Sequence, residues 1–490
     1  MQTFKQNALI VSAALLIASC RPTAAPNTPP PNILFIAVDD LNDWVGALNG
    51  HPNTLTPNID RLAASGTLFL NAYTQAPLCG PSRASLMSGL RPSTTGIYGQ
   101  TDDSDLRNAH PLLQTATFLP EFFGKRGYKT MGIGKLFHQH APEGVFEVSG
   151  GREPGFGPKP PERRYWDRPE TSTDWGPFPE SDPEMPDYRS ADWAAERLRE
   201  THDRPFFLGV GFLRPHVPWH VPKQWFDKHP LEETEVPPYL KGDMDDIPDI
   251  GHRVAEVWNM PTTEWAIDQG YWPAIVQAYL ASVTFVDAQV GRVLDALEQS
   301  DYAENTIIVL FSDHGYHIGE KNRFAKHSLW ERATHVPLVF SGKDIRQGQR
   351  VASAVELIDI YPTLAALAGF EPEESNEGRS LAPLLSDPNA NWPYAAVTTY
   401  GRNNHAVVKD NLRYIRYEDG SEEFYDHRTD PNEWHNLAAA ATPVPDQRAA
   451  MDSMATFLPT INAPWSKLSN IDVYPYFKEQ RERSVRGETP

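Results

Sequence analysis

The chain of 490 residues contains only two cysteines, Cys20 and Cys79, so no disulfide framework holds the fold together. Positive charge is also scarce. Lys and Arg number 44 against 64 Asp and Glu, a net charge of −20, which excludes broad attraction to nucleic acid. An anionic ligand would have to be captured by a locally positive pocket. Long hydrophobic runs are absent: the apolar run at residues 8–19 is too short to span a bilayer. No internal repeat is visible. An apolar content of 40% and an aromatic content of 11% do supply a sizeable core.

The first twenty residues, "MQTFKQNALIVSAALLIASC", read as an export signal with Lys5 as its charged start. Its end, "IASC", resembles the lipobox that directs cleavage before a lipidated cysteine, which would be Cys20. "RPTAAPNTPPP" then reads as a Pro-rich tether. The expected division is a signal peptide over 1–19, a tether over 20–31, a catalytic domain over 32–390 and a C-terminal subdomain over 391–490.

"NILFIAVDDL" and "TIIVLFSDHG" are continuous apolar runs that end in polar residues, the pattern of strands buried on both faces. "RPFFLGVGFLRPHVP" and "HVPLVFSG" read as further strands. "TPNIDRLAASG" reads as a helix with Thr56 as cap, Pro57 at its first position and Gly66 as its stop. Leu280, Val283, Val286, Val290, Val293 and Leu297 recur at helical spacing. Residues 150–190, crowded with Pro, Gly, Trp and acids, read as a long structured loop. Strands alternating with helices describe a doubly wound α/β sheet. "YAAVTTY", "HAVVKD", "LRYIRY" and "EEFYDH" predict a small antiparallel sheet after about residue 393.

Open α/β sheets bind ligands beyond the carboxyl ends of their strands, where Asp39, Asp40, Asp313 and His314 fall. Carboxylates converging there would repel each other, and a divalent cation resolves the conflict. Oxygen-rich ligation favours calcium or magnesium over zinc. Cys79 stands in "LCGPSRASLMSG", at the start of a predicted helix whose N–H groups favour an anion. Singly, each feature has a plainer reading: a buried thiol, solvated acids, surface lysines at 135 and 326, a core histidine at 216.

Together, "CGPSR" followed by "ASLMSG", with "VDDL", "GKLFH", "SDHG" and "AKHS" in that order, resembles the type I sulfatases. "GKLFHQH", "GFLRPHVPWHVPKQW" and "FAKHSLWERATHVPL" look most like the iduronate-2-sulfatase subgroup and its bacterial relatives. The resemblance implies an alkaline-phosphatase-like doubly wound mixed sheet flanked by helices, with a smaller C-terminal antiparallel sheet. It implies oxidation of Cys79 to formylglycine by a formylglycine-generating enzyme, and one Ca2+ held by Asp39, Asp40, Asp313, His314 and the converted Cys79. The hydrated aldehyde is a geminal diol: one oxygen attacks sulfur, and the second expels sulfate. By the same resemblance Arg83 fixes the diol, Lys135 contacts sulfate and diol, and His138 takes the proton of the second hydroxyl. His216 and Lys326 bind sulfate and polarise the leaving oxygen. Ser82 stabilises the turn. His140, His317, His327 and His335 are divided between packing and substrate contact.

The subgroup implies exo-acting removal of a 2-O-sulfate from a terminal uronate or related sugar of a sulfated oligosaccharide. Trp219, Tyr316 and Trp330 are the aromatic residues expected to wall that sugar, and Arg214 or Arg332 the cation expected to read a carboxylate. The implied location is the bacterial periplasm or cell surface, with the membrane touched only through a lipid at Cys20. Two alternatives stand beside this: a phosphatase or phosphonate monoester hydrolase on the same fold, and a non-catalytic glycan-binding lipoprotein.

Overall fold

The computed structural model describes residues 29–488 except 164, 167, 169, 170 and 441–443. The export signal, Cys20 and most of the tether lie outside the described residues. Strand β1 (Asn32–Asp39) is buried at all eight positions. Its side chains divide between two cores. Leu34, Ile36 and Val38 enter the layer beneath the helix Trp272–Glu298, whereas Ile33, Phe35 and Ala37 enter the layer that holds the helices Cys79–Ser88, Leu119–Gly124 and Ile360–Leu367. A strand covered on both faces needs apolar residues at consecutive positions, hence the unbroken run.

Seven further strands complete the sheet: β2 (Gly66–Tyr73), β3 (Lys129–Gly134), β4 (Val148–Gly151), β5 (Phe206–Pro215), β6 (Thr306–Ser312), β7 (His335–Gly342) and β8 (Gln349–Glu356). Their order is β4-β3-β5-β1-β6-β7-β2-β8, and only β7 runs antiparallel to its neighbours. The sheet is therefore mixed. Its topology collects the ends of β1, β3, β5 and β6 and the start of β7 along one edge. Val38 lies opposite Ser312, and the Asp313 N–H donates to the Val38 carbonyl at 3.2 Å. The two acidic strand ends are thus neighbours.

Three local expectations need correction. The helix Pro57–Ala64 stops before Gly66, which instead opens β2; a Cβ there would meet the Phe340 carbonyl oxygen at 2.1 Å. The Thr56 hydroxyl does not cap the helix but accepts from the Gly46 N–H at 2.8 Å and donates to Asp60. The loop expected over 150–190 ends early, because Pro186 opens a helix, Pro186–Arg199. Asp187 on its first turn accepts the backbone N–H groups of Leu213 and Arg214, which ties that turn to the end of β5. The long helix Trp272–Glu298 is buried on most of its surface, so its apolar positions exceed a single stripe.

The second sheet is antiparallel, with order β12-β11-β10-β9: β9 (Ala396–Thr399), β10 (His405–Lys409), β11 (Leu412–Arg416) and β12 (Glu422–Asp426). Asp410 and Asn411, both left-handed, make the two-residue turn between β10 and β11. Arg413 on β11 is fully buried and reaches back to the segment that leads into β7. Its guanidinium pairs with Glu433 at 2.6 Å and with Glu331, and donates to the Leu329 carbonyl at 2.7 Å. Arg413→Met removes the guanidinium that Glu331 and Glu433 share and leaves them to His335 and His427, so urea denaturation should show a loss of about 3–5 kcal/mol. A loss under about 1 kcal/mol would contradict this account of how the two sheets are joined.

Beyond the small sheet the chain returns to the main domain, where Gln100 and Asn470 exchange backbone hydrogen bonds at 2.8 and 2.9 Å. No helix among the described residues is long and apolar enough to cross a membrane.

Candidate active site

Cys79 is the first residue of the helix Cys79–Ser88, all ten residues of which are buried. The Ser82 hydroxyl donates to the Asp313 carbonyl at 2.6 Å and accepts from Thr74 at 3.0 Å, so it fastens the helix to the end of β6. The Cys79 Sγ then lies 3.1 Å from Lys326 Nζ, 3.5 Å from Lys135 Nζ and 3.2 Å from His314 Nε2. Burial and Asp39 push the thiol up despite the two lysines. At neutral pH residue 79 is therefore a thiol, not the thiolate that a cysteine nucleophile requires.

Asp40 sits in the left-handed region at φ 61°, which turns the chain immediately after β1. Asp39, Asp40, Cys79 and His314 each place a donor atom within 4.8 Å of the others. Asp313 stands at the margin of that set. One of its oxygens accepts from Arg83 Nε at 2.8 Å, and the other from the N–H groups of Asp40 and His314 at 3.3 and 3.1 Å. Three buried carboxylates thus meet three buried cations. Lys135 pairs with Asp39, Lys326 with Asp40 at 2.7 Å, and Arg83 with Asp313 and, at 3.2 Å, with Asp39.

The two vicinal acids diverge. Burial would raise Asp39, but Lys135, Arg83 and Lys326 hold it well below the usual carboxylate range. Asp40 is pushed up to about 7 by burial, with Lys326 opposing and Asp39 assisting. Two carboxylates about 4 Å apart repel by roughly 4 kcal/mol at an effective dielectric of 20. Asp40 Oδ2 is buried and has no hydrogen-bond partner, which marks the position where a cation is wanted.

The remaining candidates surround the thiol. His138 and His216 line one pocket with Cys79 and Lys326, a cavity of about 300 Å³. Backbone N–H groups of His138, Gln139 and His140 all converge on Asp103. Burial and Lys135 hold the His138 imidazole down at about 3. The His216 Nδ1–H donates to the Val217 carbonyl at 2.6 Å, which turns Nε2 toward Asp40, 3.8 Å away. Phe156 stacks on the His216 ring at 4.3 Å. Burial, Lys326 and Lys135 keep His216 neutral, well below its ordinary value.

Several sequence expectations are overturned. Trp219 and Trp330 are core residues, 0% and 1% exposed; the first packs on Tyr279 and Tyr316, and the second donates to Glu423. Only Tyr316 of the expected wall faces the pocket, joined there by Phe156 and Tyr474. Arg214 cannot read a substrate carboxylate, since its guanidinium is spent on the carbonyls of His216, His220 and Phe156 at 2.9–3.1 Å. Arg332 is likewise taken by Asp43 and Glu320. Of the four undecided histidines, only His327 lines the pocket. His317 bonds to Ser328 and His335 to the Leu70 carbonyl, both structural contacts, while His140 is exposed. Sequence reading missed Arg152, a partly buried cation whose field reaches Asp39 and Cys79. It also missed Ile471, Val473 and Tyr474, which come from a distant part of the chain without any motif.

The mixed sheet thus gathers three acids, three cations and a buried thiol beyond its strand ends. Solved structures share the fold. A phosphonate monoester hydrolase from Silicibacter pomeroyi superposes with TM-score 0.73 at 19% identity, covering 87% of this chain and 94% of that one. A 2-O GAG sulfatase superposes with TM-score 0.62 at 26% identity, covering 87% and 92%. Sequence separates the two classes. The sulfatase family model matches residues 31–370, and a second model, N-sulphoglucosamine sulphohydrolase, C-terminal, matches residues 319–453. A sulfatase of Formosa agariphila is 50% identical over 465 residues, covering 92% of this chain and 91% of its own. Human iduronate 2-sulfatase is 31% identical over 420 residues, covering 74% and 73%. The chain belongs to the sulfatase family and is a sulfuric ester hydrolase.

Proposed function

We propose that this enzyme removes a sulfate ester from sulfated glycans, acting from the chain end on the 2-O-sulfate of a terminal uronate or related sugar. The observation that carries the reading is the position of Cys79 Sγ, between two lysine ammonium groups and beside the acids Asp39 and Asp40, at the base of a pocket of about 300 Å³. A pocket of that size suits one terminal sugar better than the middle of a polymer. The similarity to iduronate 2-sulfatase and to a 2-O GAG sulfatase supports the sugar class.

Residue 79 acts, in this reading, as formylglycine, whose hydrate supplies one hydroxyl to attack sulfur and another to release sulfate. Arg83 and Lys135 hold the diol and offset its charge. Lys326 and His216 face the ester from the other side, where the Lys326 ammonium is the donor that stabilises the departing sugar oxygen and the neutral His216 presents an unprotonated Nε2. His138, neutral and with its Nδ1 unpartnered, is positioned to take a proton during sulfate release. With Arg214 spent on carbonyls, Arg152, whose charge acts on Asp39 and residue 79, is the cation we assign to a substrate anion. The donor set fits a hard divalent cation, and Asp39, Asp40, His314 and residue 79, with Asp313 beside them, would hold Ca2+. That ion would lower the pKa of the residue-79 hydroxyl and screen the sulfate oxygens. Since three buried acids already balance three buried cations, a dication and an anionic substrate enter together with least electrostatic cost.

Chelation with EDTA should therefore remove nearly all turnover of 4-nitrophenyl sulfate, and added Ca2+ should restore it. Hydrolysis of 4-nitrophenyl sulfate should exceed that of 4-nitrophenyl phosphate. Full activity in EDTA would overturn the metal assignment, and preference for phosphate would favour the phosphatase or phosphonate monoester hydrolase reading that the shared fold permits. The export signal and the lipobox-like "IASC" support delivery to the cell surface on a lipid at Cys20.

A further inference from the structure

Next to the active-site pocket lies a second cavity of about 590 Å³, within the roughly 300–1,000 Å³ typical of ligand sites. Met260 lines both spaces. The segment before it is a shared wall: Asn259 faces the active-site pocket, while Trp258 faces the second cavity. Three indoles line that cavity. Trp166 and Trp265 meet edge to face at 4.6 Å, and Trp258 is 40% exposed. Their orientation is fixed in part by backbone: Trp166 Nε1 donates to the Asn259 carbonyl at 3.0 Å and Trp258 Nε1 to the Val473 carbonyl at 2.8 Å.

The polar lining is unbalanced. Lys321 is neutralised by Asp243 at 2.7 Å. Arg323, only 4% exposed, has no such partner among the described residues. One of its Nη groups donates to the Ala255 carbonyl and its guanidinium lies over the Trp330 ring at 5.6 Å, but its buried Nε has no hydrogen-bond partner among the described residues. The one acid lining the cavity among the described residues, Glu256, is exposed at the rim. A buried guanidinium without an anion is costly, and a planar fork of donors matches a carboxylate or a sulfate. Indole faces beside it match the C–H faces of a sugar ring.

We infer that this cavity binds a second, anionic sugar of the substrate, adjoining the one that is desulfated, with Arg323 reading its carboxylate or sulfate and Trp166, Trp258 and Trp265 packing on its ring. The inference rests on the glycan reading above and extends it: the preferred substrate is an oligosaccharide charged on two successive units. The role is positioning and specificity, not bond breaking.

The test uses the full chain and disaccharides that carry the scissile 2-O-sulfate on the terminal sugar, with the second sugar carrying either an anionic group or none. Wild type should prefer the charged disaccharide in kcat/KM by about 10- to 100-fold. In Arg323→Met that ratio should fall to near 1. Trp258→Ala, on the exposed rim where folding is least at risk, should lower kcat/KM for both disaccharides severalfold while the ratio persists. Equal use of both disaccharides by the wild type, or an unchanged ratio in Arg323→Met, overturns the assignment. A wild type that hydrolyses 4-nitrophenyl sulfate but no sulfated saccharide overturns the glycan reading and this extension with it.

Discussion

Cys79→Ala should lose about 10⁴-fold or more in turnover of 4-nitrophenyl sulfate, with little change in melting temperature. The first half follows from chemistry: alanine cannot be oxidised to an aldehyde, so no diol forms. The second follows from the charge pairing around the thiol. Lys135 remains paired with Asp39 and Lys326 with Asp40, so truncation at residue 79 orphans no buried charge. Cys79→Ser is the sharper variant. Its hydroxyl occupies the same place and can accept a sulfuryl group, but it has no second oxygen with which to expel sulfate. At most a single stoichiometric release of nitrophenol is expected, followed by silence. Sustained turnover by Cys79→Ser near the wild-type rate would contradict the aldehyde chemistry.

The second large effect belongs to Lys326. Its ammonium is buried 3.1 Å from Sγ and 2.7 Å from Asp40, and burial is outweighed by those partners, so its pKa lies well above the ordinary lysine value. It stays charged throughout the working pH range. Lys326→Ala should lower kcat about 10²- to 10³-fold. The loss should be larger for a sugar sulfate than for 4-nitrophenyl sulfate, because nitrophenolate leaves without help and an alkoxide does not. Parallel kcat measurements on both substrates decide the matter. Equal losses would mean that Lys326 serves only to balance Asp40.

Much of this site was legible because its residues occupy strand ends and short motifs. An unbroken apolar run gives β1, and the carboxylates that follow it fall where open sheets bind ligands. Adjacency of Asp39–Asp40 to Asp313–His314 follows once β1 and β6 are neighbours. What failed was inference from closeness in sequence. Trp219 lies three residues from His216, and Trp330 four from Lys326, yet both turn into the core while their neighbours face the pocket. Arg214 suggested a free cation but serves as a clamp on the loop that carries His216. Such directions depend on loop conformation, which residue type does not encode. Tyr474 and Arg323 were illegible for another reason: one arrives from beyond the small sheet, and the other is notable only because no carboxylate among the described residues pairs with it.

The central claim is that residue 79 works as an oxidised former thiol held among these acids and cations. Mass spectrometry of the peptide containing residues 78–83, from protein made in a host with a formylglycine-generating enzyme, tests it directly. The account predicts about 18 Da missing from Cys79, in a fraction of molecules that tracks specific activity across preparations. An intact thiol in fully active enzyme would contradict it.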